Sequence, residues 1–189
     1  MSTAEDVTVV VLAGGGSTRF GSDKLAAPMG GTTVLDHLLA SLPADWPVVV
    51  VGAERPTVRT VTWVREDPPG GGPLAGVEAG LAAAGTELLV VVAGDMPYAG
   101  AAVADLVGVL RAQPLGVAAV IAQDGSGHAN PLLGVYRTAA LRDRLPHPAR
   151  DRPAKLLLAL PHTLVQVAGR SGRDVDTPSD LAGLDDPQH

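Results

Sequence analysis

An apolar run passes directly into a row of glycines near the start of the chain, VTVVVLAGGG at residues 7–16. The run is short, rich in β-branched valine and free of polar alternation, which is typical of a strand that a sheet buries on both faces. Similar runs recur along the chain, at residues 48–51, 88–93 and 117–122, with weaker ones at 61–64 and 163–167. The sequence therefore predicts a central sheet of several buried strands.

Segments with helical spacing separate these runs. The leucines at 35, 38, 39 and 42 follow the i, i+3, i+4, i+7 pattern of an amphipathic helix, and residues 74–84 and 103–110 repeat it. Alternating strands and helices favour right-handed crossovers and parallel pairing, with helices on both faces of the sheet. We therefore predict an α/β fold, a three-layer α/β/α sandwich with a Rossmann-like, mostly parallel mixed sheet.

The rhythm changes after residue 123. Turn residues at 124–127 predict that residues 132–136 pair antiparallel with 117–122. An exposed connection at 144–153 is expected to precede a helix at 154–160, and Asp176 to cap a short last helix. We expect one domain over residues 1–185 and a disordered tail at 186–189.

Composition limits the partners. The 189-residue chain carries a formal net charge of −6, which argues against broad contact with nucleic acid. It has no cysteine, so disulfides and thiolate metal sites are excluded. No apolar run reaches the roughly 18 residues of a membrane span, and the start of the chain is acidic rather than basic. These features predict a cytoplasmic protein that contacts neither membrane nor nucleic acid.

The glycine loop is the first candidate site. Ligands of parallel sheets gather beyond the carboxyl ends of the strands, and residues 13–24 leave the end of the first strand. Glycines let backbone N–H groups turn toward an anion, while Arg19 and Lys24 add positive charge. The pattern predicts a triphosphate site; a Gly-rich turn with two solvated cations is the alternative.

Two familiar phosphate motifs do not match this loop. In a P-loop alignment Ser22 stands where the lysine is required. In a dinucleotide-binding alignment Arg19 replaces the third glycine. The loop is therefore a different phosphate-binding device.

Acidic residues supply the second half of the site. Asp95 follows the run at 88–93, where a carboxylate can hold Mg²⁺ or cap the next helix. Asp176 is a candidate second metal ligand, or only a helix cap. Asp67 precedes a Gly- and Pro-rich loop that contains Gly72 and leads into a helix. The N–H groups at the start of that helix can face a base or a phosphate; a stiff turn is the alternative. His128, in the turn region, is a candidate for the second substrate or a solvated surface side chain.

Four motifs together resemble the nucleotidyltransferases of the glycosyltransferase-A-like fold, and among them the MobA-like molybdenum cofactor guanylyltransferases. They are L-A-G-G-x-S-x-R-F-G-x-D-K at 12–24, E-D ahead of G-P-L-A-G at 66–76, G-D-M-P at 94–97 and D-V-D-T-P-S-D-L at 174–181. The family's N-A-N-R pattern is replaced by residues 52–55, GAER, which leaves Gly52 without a side chain for the nucleotide.

The resemblance implies a role for each matching residue. Nucleotide binding falls to Leu12, Ala13, Gly14, Gly15, Asp67 and Gly72. Lys24 and Arg19 contact the phosphates, and Asp95 and Asp176 hold Mg²⁺. Asn130 lies next to the pterin-binding region, and His128, the candidate from the turn region, is the other residue expected at the acceptor.

The implied reaction is GMP transfer from GTP to molybdopterin with release of pyrophosphate. The implied partners are GTP, molybdopterin and, transiently, molybdoenzymes or other proteins of cofactor biosynthesis. The protein itself is expected to be a monomer or a weak homo-oligomer. The alternatives are cytidylyl or other nucleotidyl transfer to another phosphorylated acceptor, a nicotinamide-dependent oxidoreductase, and a non-catalytic nucleotide sensor.

Overall fold

The computed structural model describes residues 6–14, 23–167, 169–177 and 179–181. Its regular elements in chain order are β1 Val7–Leu12, β2 Pro28–Met29, β3 Thr32–Thr33, α1 Val34–Ser41, β4 Val48–Val51, β5 Thr62–Val64, α2 Pro73–Ala83, β6 Leu88–Ala93, α3 Ala99–Ala112, β7 Ala119–Gln123, β8 Ala129–Arg137, α4 Thr138–Arg144 and β9 His162–Gln166. Three 3₁₀ segments accompany them, at Lys24–Ala26, Ala154–Ala159 and Gly169–Gly172. None of the described helices is long and apolar enough to cross a membrane.

Seven strands form one mixed sheet in the order β5-β4-β1-β6-β8-β7-β9. β1 lies between β4 and β6 and runs parallel to both. β8 runs antiparallel to β6 and to β7, so it alone reverses the direction of the sheet. The predicted mostly parallel mixed sheet is confirmed, and so is the antiparallel pairing after residue 123.

Helices cover both faces of the sheet. Val9 and Val11 of β1 pack in one core with α1 and α3, whereas Val10 packs in a second core with α2 and α4. Because neighbouring strand residues point to opposite faces, the unbroken valine run serves both cores at once. The predicted three-layer sandwich is therefore confirmed.

The later part of the chain differs from the expectation in detail. The helix predicted at 154–160 is wrong in type, because Ala154–Ala159 is a 3₁₀ segment. It is confined between Pro153 and Pro161, and a residue before proline is biased to extended backbone, as Leu160 is. The helix α4 and the β2–β3 hairpin were not predicted. The hairpin turns on Gly30 and Gly31, both with positive φ, as a two-residue type I′ turn requires.

Two glycines allow the helices to pack closely. A Cβ at Gly80 of α2 would lie 2.4 Å from Cγ1 of Val10, and a Cβ at Gly100 of α3 would lie 2.0 Å from the carbonyl oxygen of Ser41. These contacts set how near α2 lies to β1 and how closely α3 crosses the end of α1.

We expect Gly100→Ala to lower the free energy of unfolding by about 1–3 kcal/mol, because the added methyl group meets rigid backbone. Gly108→Ala in the same helix is the matched control: a Cβ there meets nothing within 4 Å, and removing a mid-helix glycine should stabilise by about 0.5–1 kcal/mol. Urea unfolding measures both. Equal effects of the two substitutions would contradict the close crossing.

Candidate active site

The candidate site lies where β1 and β6 end side by side. Leu12 pairs with Ala93 in the parallel register, so residues 13–14 and 94–95 leave the same edge of the sheet. The Gly94 N–H donates to the Leu12 carbonyl at 2.9 Å, and a Cβ at Gly94 would lie 3.0 Å from that oxygen. A side chain before Asp95 would therefore push the two chain segments slightly apart.

Lys24 reaches this edge from a 3₁₀ turn. The Asp23 carboxylate accepts from the Leu25 N–H at 3.1 Å, and Leu25 is buried, so the backbone that carries Lys24 is anchored on both sides. The Lys24 ammonium donates to Oδ2 of Asp95 and, at 3.2 Å, to Oδ1 of Asp176. The structure thus brings together three residues that the sequence analysis assigned to phosphate and metal.

The C-terminal segment brings a further carboxylate. Val175 is fully buried against Ala27, Met29 and Val34, and its N–H donates to the Asp95 carbonyl at 2.9 Å. Asp174 and Asp176 flank this anchor, and together with Asp95 they offer one oxygen each within 4.8 Å of one another. The sequence analysis missed Asp174. The sequence feature that could have indicated Asp174 is the pair of acids on either side of one apolar residue.

The capping role expected of Asp176 is wrong. The hydroxyl of Thr177 accepts from the Asp180 N–H at 3.2 Å, and the Asp180 carboxylate accepts from the Thr177 N–H at 2.7 Å. This reciprocal pair is a capping box, in which the residue three positions on completes the cap. The Asp176 carboxylate instead bonds Lys24.

Charge is concentrated in this cluster. Burial lowers the pKa of Lys24, but hydrogen bonds and charges from Asp95 and Asp176 outweigh it, so the pKa is raised above its usual value. Burial raises the pKa of Asp174, its own backbone N–H opposes this, and the charges of Asp176 and Asp95 raise it further. Oδ1 of Asp95 is buried without a hydrogen-bond partner. Three carboxylates around such an atom are a donor set that suits a hard divalent cation.

The other side of β1 offers backbone and one half-buried acid. The Ala13 N–H donates to the Val51 carbonyl at 2.8 Å, and a Cβ at Gly14 would lie 3.6 Å from Oε1 of Glu66. That oxygen accepts from the Gly70 N–H at 3.3 Å. Glu66, which the sequence analysis passed over, therefore lies beside the glycine loop, while its neighbour Asp67 is exposed.

The Gly- and Pro-rich loop ends at the helix as expected. Gly72, at φ +87°, is the N-cap residue of α2, and Pro73 is at the first helical turn. Gly52 lies at the end of β4, where a Cβ would be 2.8 Å from the Ala13 carbonyl oxygen. The close approach of Ala13 explains why this chain has glycine at position 52.

Residues assigned to the acceptor lie on the β8 side. The Asn130 amide donates to Sδ of Met96 at 3.8 Å, which places it next to the residue that follows Asp95. His128 is exposed in the β7–β8 turn, where its Nδ1 lies 2.6 Å from Oγ of Ser126. Arg19 and Gly15 lie outside the described residues.

Known proteins resemble this chain in sequence. Residues 9–167 match the model of the MobA-like NTP transferase domain. A protein of Mycobacterium tuberculosis named "Probable molybdenum cofactor guanylyltransferase" is 39% identical over 146 residues, covering 72% of this chain and 70% of its own. One of the same name from Carboxydothermus hydrogenoformans is 30% identical over 135 residues, covering 70% of this chain and 66%, just under two thirds, of its own length.

Solved structures share the fold. Molybdopterin-guanine dinucleotide biosynthesis protein A from Archaeoglobus fulgidus superposes with a TM-score of 0.72 at 23% identity, covering 94% of this chain and 96% of its own. The 2-C-methyl-D-erythritol 4-phosphate cytidylyltransferase of Thermus thermophilus gives a TM-score of 0.67 at 21% identity, covering 93% of this chain and 96% of its own. At these identities the likeness establishes the architecture.

We expect Gly52→Ala to lower Tm by roughly 4–8 °C, equivalent to about 2 kcal/mol, because the added methyl group collides with the Ala13 carbonyl. Gly116→Ala, where a Cβ meets nothing within 4 Å, is the control and should leave Tm nearly unchanged. Thermal unfolding followed by circular dichroism compares them. An unchanged Tm for Gly52→Ala would contradict the contact between β4 and the glycine loop.

Proposed function

Because the chain belongs to the MobA-like NTP transferase family, and is thus a nucleotidyltransferase, we propose that it transfers GMP from GTP to molybdopterin with Mg²⁺ as cofactor. The observation that carries the proposal is the convergence of Lys24, Asp95 and Asp176 beside the glycine loop at the end of β1. The names of the curated relatives support the choice of GTP and molybdopterin.

The chemistry fits a site without a strong base. A phosphate oxygen of the acceptor forms the new bond to the α-phosphorus of GTP, the bond between the α- and β-phosphates breaks, and pyrophosphate leaves. The attacking phosphate is already anionic, so the protein's task is to position two polyanions and neutralise their charge. Lys24 and the backbone N–H groups beyond β1 would face the triphosphate, and Arg19 is assigned to the same task.

Asp95, Asp176 and Asp174 are the residues that would hold the divalent cation. When bound, the ion would supply charge neutralisation at the phosphates. Asp95 is the central ligand in this assignment, because its side chain is only 16% exposed and one oxygen lacks a protein partner. Asp174 and Asp176 reach it through the anchored Val175.

The nucleoside and the acceptor would lie on opposite sides of this centre. Glu66, Asp67 and the start of α2 flank the β5 side, where a carboxylate can accept from the ring N–H and amino groups of guanine. Asn130 and His128 flank the β8 side, which leaves that side for the pterin.

The cytidylyltransferase among the structural neighbours keeps CTP as the alternative nucleotide. Cytoplasmic location, oligomeric state, the domain limits at 1–185 and transient protein partners stay predictions.

We expect Asp95→Asn to lower kcat by about 100-fold or more, since it removes an anionic ligand of the divalent cation that would neutralise charge on the phosphates. Pyrophosphate release from GTP and molybdopterin measures the rate, and circular dichroism checks the fold. Asp143→Asn, an exposed acid on α4, is the control and should retain activity. Near-normal turnover by Asp95→Asn would overturn the assignment.

A nucleotide panel tests the base. A nucleotide that is present at 100 times its Kd stabilises the native state by about 2.7 kcal/mol, and a weaker ligand at the same concentration stabilises it less. With Mg²⁺ and one fixed concentration of each nucleotide, we therefore expect GTP to raise Tm more than CTP, UTP or ATP. A larger shift with CTP would favour cytidylyl transfer instead. Absence of pyrophosphate release despite GTP binding and added molybdopterin would leave the sensor alternative.

A further inference from the structure

The ammonium group of Lys24 lies inside the acidic cluster rather than outside it. It bonds Asp95 and Asp176, two of the three residues that offer oxygens to a cation. The side chain of Lys24 is 19% exposed and that of Asp95 is 16% exposed. In this structure, a positive charge that the chain itself supplies therefore already bridges two carboxylates of the cluster.

A lysine in this position is well suited to be displaced. Its backbone is fixed by the Asp23 cap and by burial of Leu25, whereas its four-carbon stem is flexible and ends in a compact charge. A divalent cation among the same carboxylates would carry twice the charge of the ammonium, and the two would repel each other at contact distance. The Lys24 side chain can therefore change position while the backbone at residues 23–25 stays in place.

We propose that Lys24 is an internal cation that competes with the divalent metal for Asp95 and Asp176, and that its release by the metal makes it available to the triphosphate. The inference rests on the metal-dependent transfer proposed above. Without metal, the ammonium is bonded to carboxylates and the cluster is net negative, so a triphosphate meets repulsion. Metal binding then precedes, or accompanies, productive nucleotide binding.

The competition predicts two opposite effects of one substitution. Lys24→Met removes the charge but keeps a long apolar stem, so Mn²⁺ should bind the nucleotide-free protein roughly three- to tenfold more tightly, the scale of one or two partly exposed ion pairs. The same variant should bind GTP in the presence of Mn²⁺ more weakly than the wild type. A residue with only a structural role would weaken both equilibria.

Two controls match the change in charge. Lys155→Met alters the chain's only other lysine, which is exposed on the 3₁₀ segment at 154–159. Arg55→Met removes a positive charge that pairs with Asp23 at 2.6 Å. Asp23 is next to Lys24 in sequence, but it is not one of the carboxylates that Lys24 contacts. Both should bind Mn²⁺ within about twofold of the wild type.

Isothermal titration with Mn²⁺, and electron paramagnetic resonance of free Mn²⁺, measure affinity without nucleotide or turnover. Tighter Mn²⁺ binding by Lys24→Met alone supports the competition. If the wild type binds Mn²⁺ and Lys24→Met binds it equally or more weakly, the competition is overturned. An equal gain in Mn²⁺ affinity for Arg55→Met overturns it as well. A wild-type protein that binds no Mn²⁺ contradicts the proposed metal site itself. Lys24→Gln repeats the test if Lys24→Met does not fold.

Discussion

The parallel pairing of β1 with β6 is the constraint on which the rest of the site depends. It aligns Leu12 with Ala93, and thereby starts the glycine loop and the Asp95 turn from adjacent points of one sheet edge. The N–H of Gly94 bonds the Leu12 carbonyl, so the alignment extends past the last paired residues. Because both strands are buried on both faces, their register is held by two hydrophobic cores rather than by the site. The scaffold can therefore carry a strongly charged cluster at its edge.

The remaining acids of the site come from a segment about 80 positions further along the chain, and an apolar side chain holds them in place. Burial of Val175 and its bond to the Asp95 carbonyl set the position of two flanking carboxylates. Arg170 lies 4.8 Å from the Tyr98 ring, in cation–π geometry, and Tyr98 packs against the cluster that buries Val175. Hydrophobic and aromatic contacts thus offset the repulsion between like charges that are held close together.

Sequence patterns predicted what depends on local chemistry. β1, β4 and β6 have the bounds that their apolar runs predict, because an acidic residue or a proline precedes each run and a glycine follows it within two residues. The 3₁₀ form of residues 154–159 was not predicted, since apolar spacing does not separate it from an α-helix. The proximity of Glu66 to Gly14 arises only when β1, β4 and β5 pair. That of Asp174 to Asp95 arises only when the segment around Val175 packs against the residues that follow β6. Asp176 stays a predicted metal ligand, and the alternative that it caps the last helix is wrong because Thr177 is the cap.

The structure also changes how the positive charge of the first loop is understood. From the sequence alone, Lys24 is expected to add positive charge to the glycine loop and to attract phosphate. In the folded chain it is partnered by Asp95 and Asp176, so its charge is largely neutralised before a nucleotide arrives. In the proposed mechanism, attraction of a triphosphate would then depend on Arg19, on backbone N–H groups beyond β1 and on a divalent cation that takes the carboxylates from Lys24. The proposed anion site is accordingly formed by the loop and the acids together.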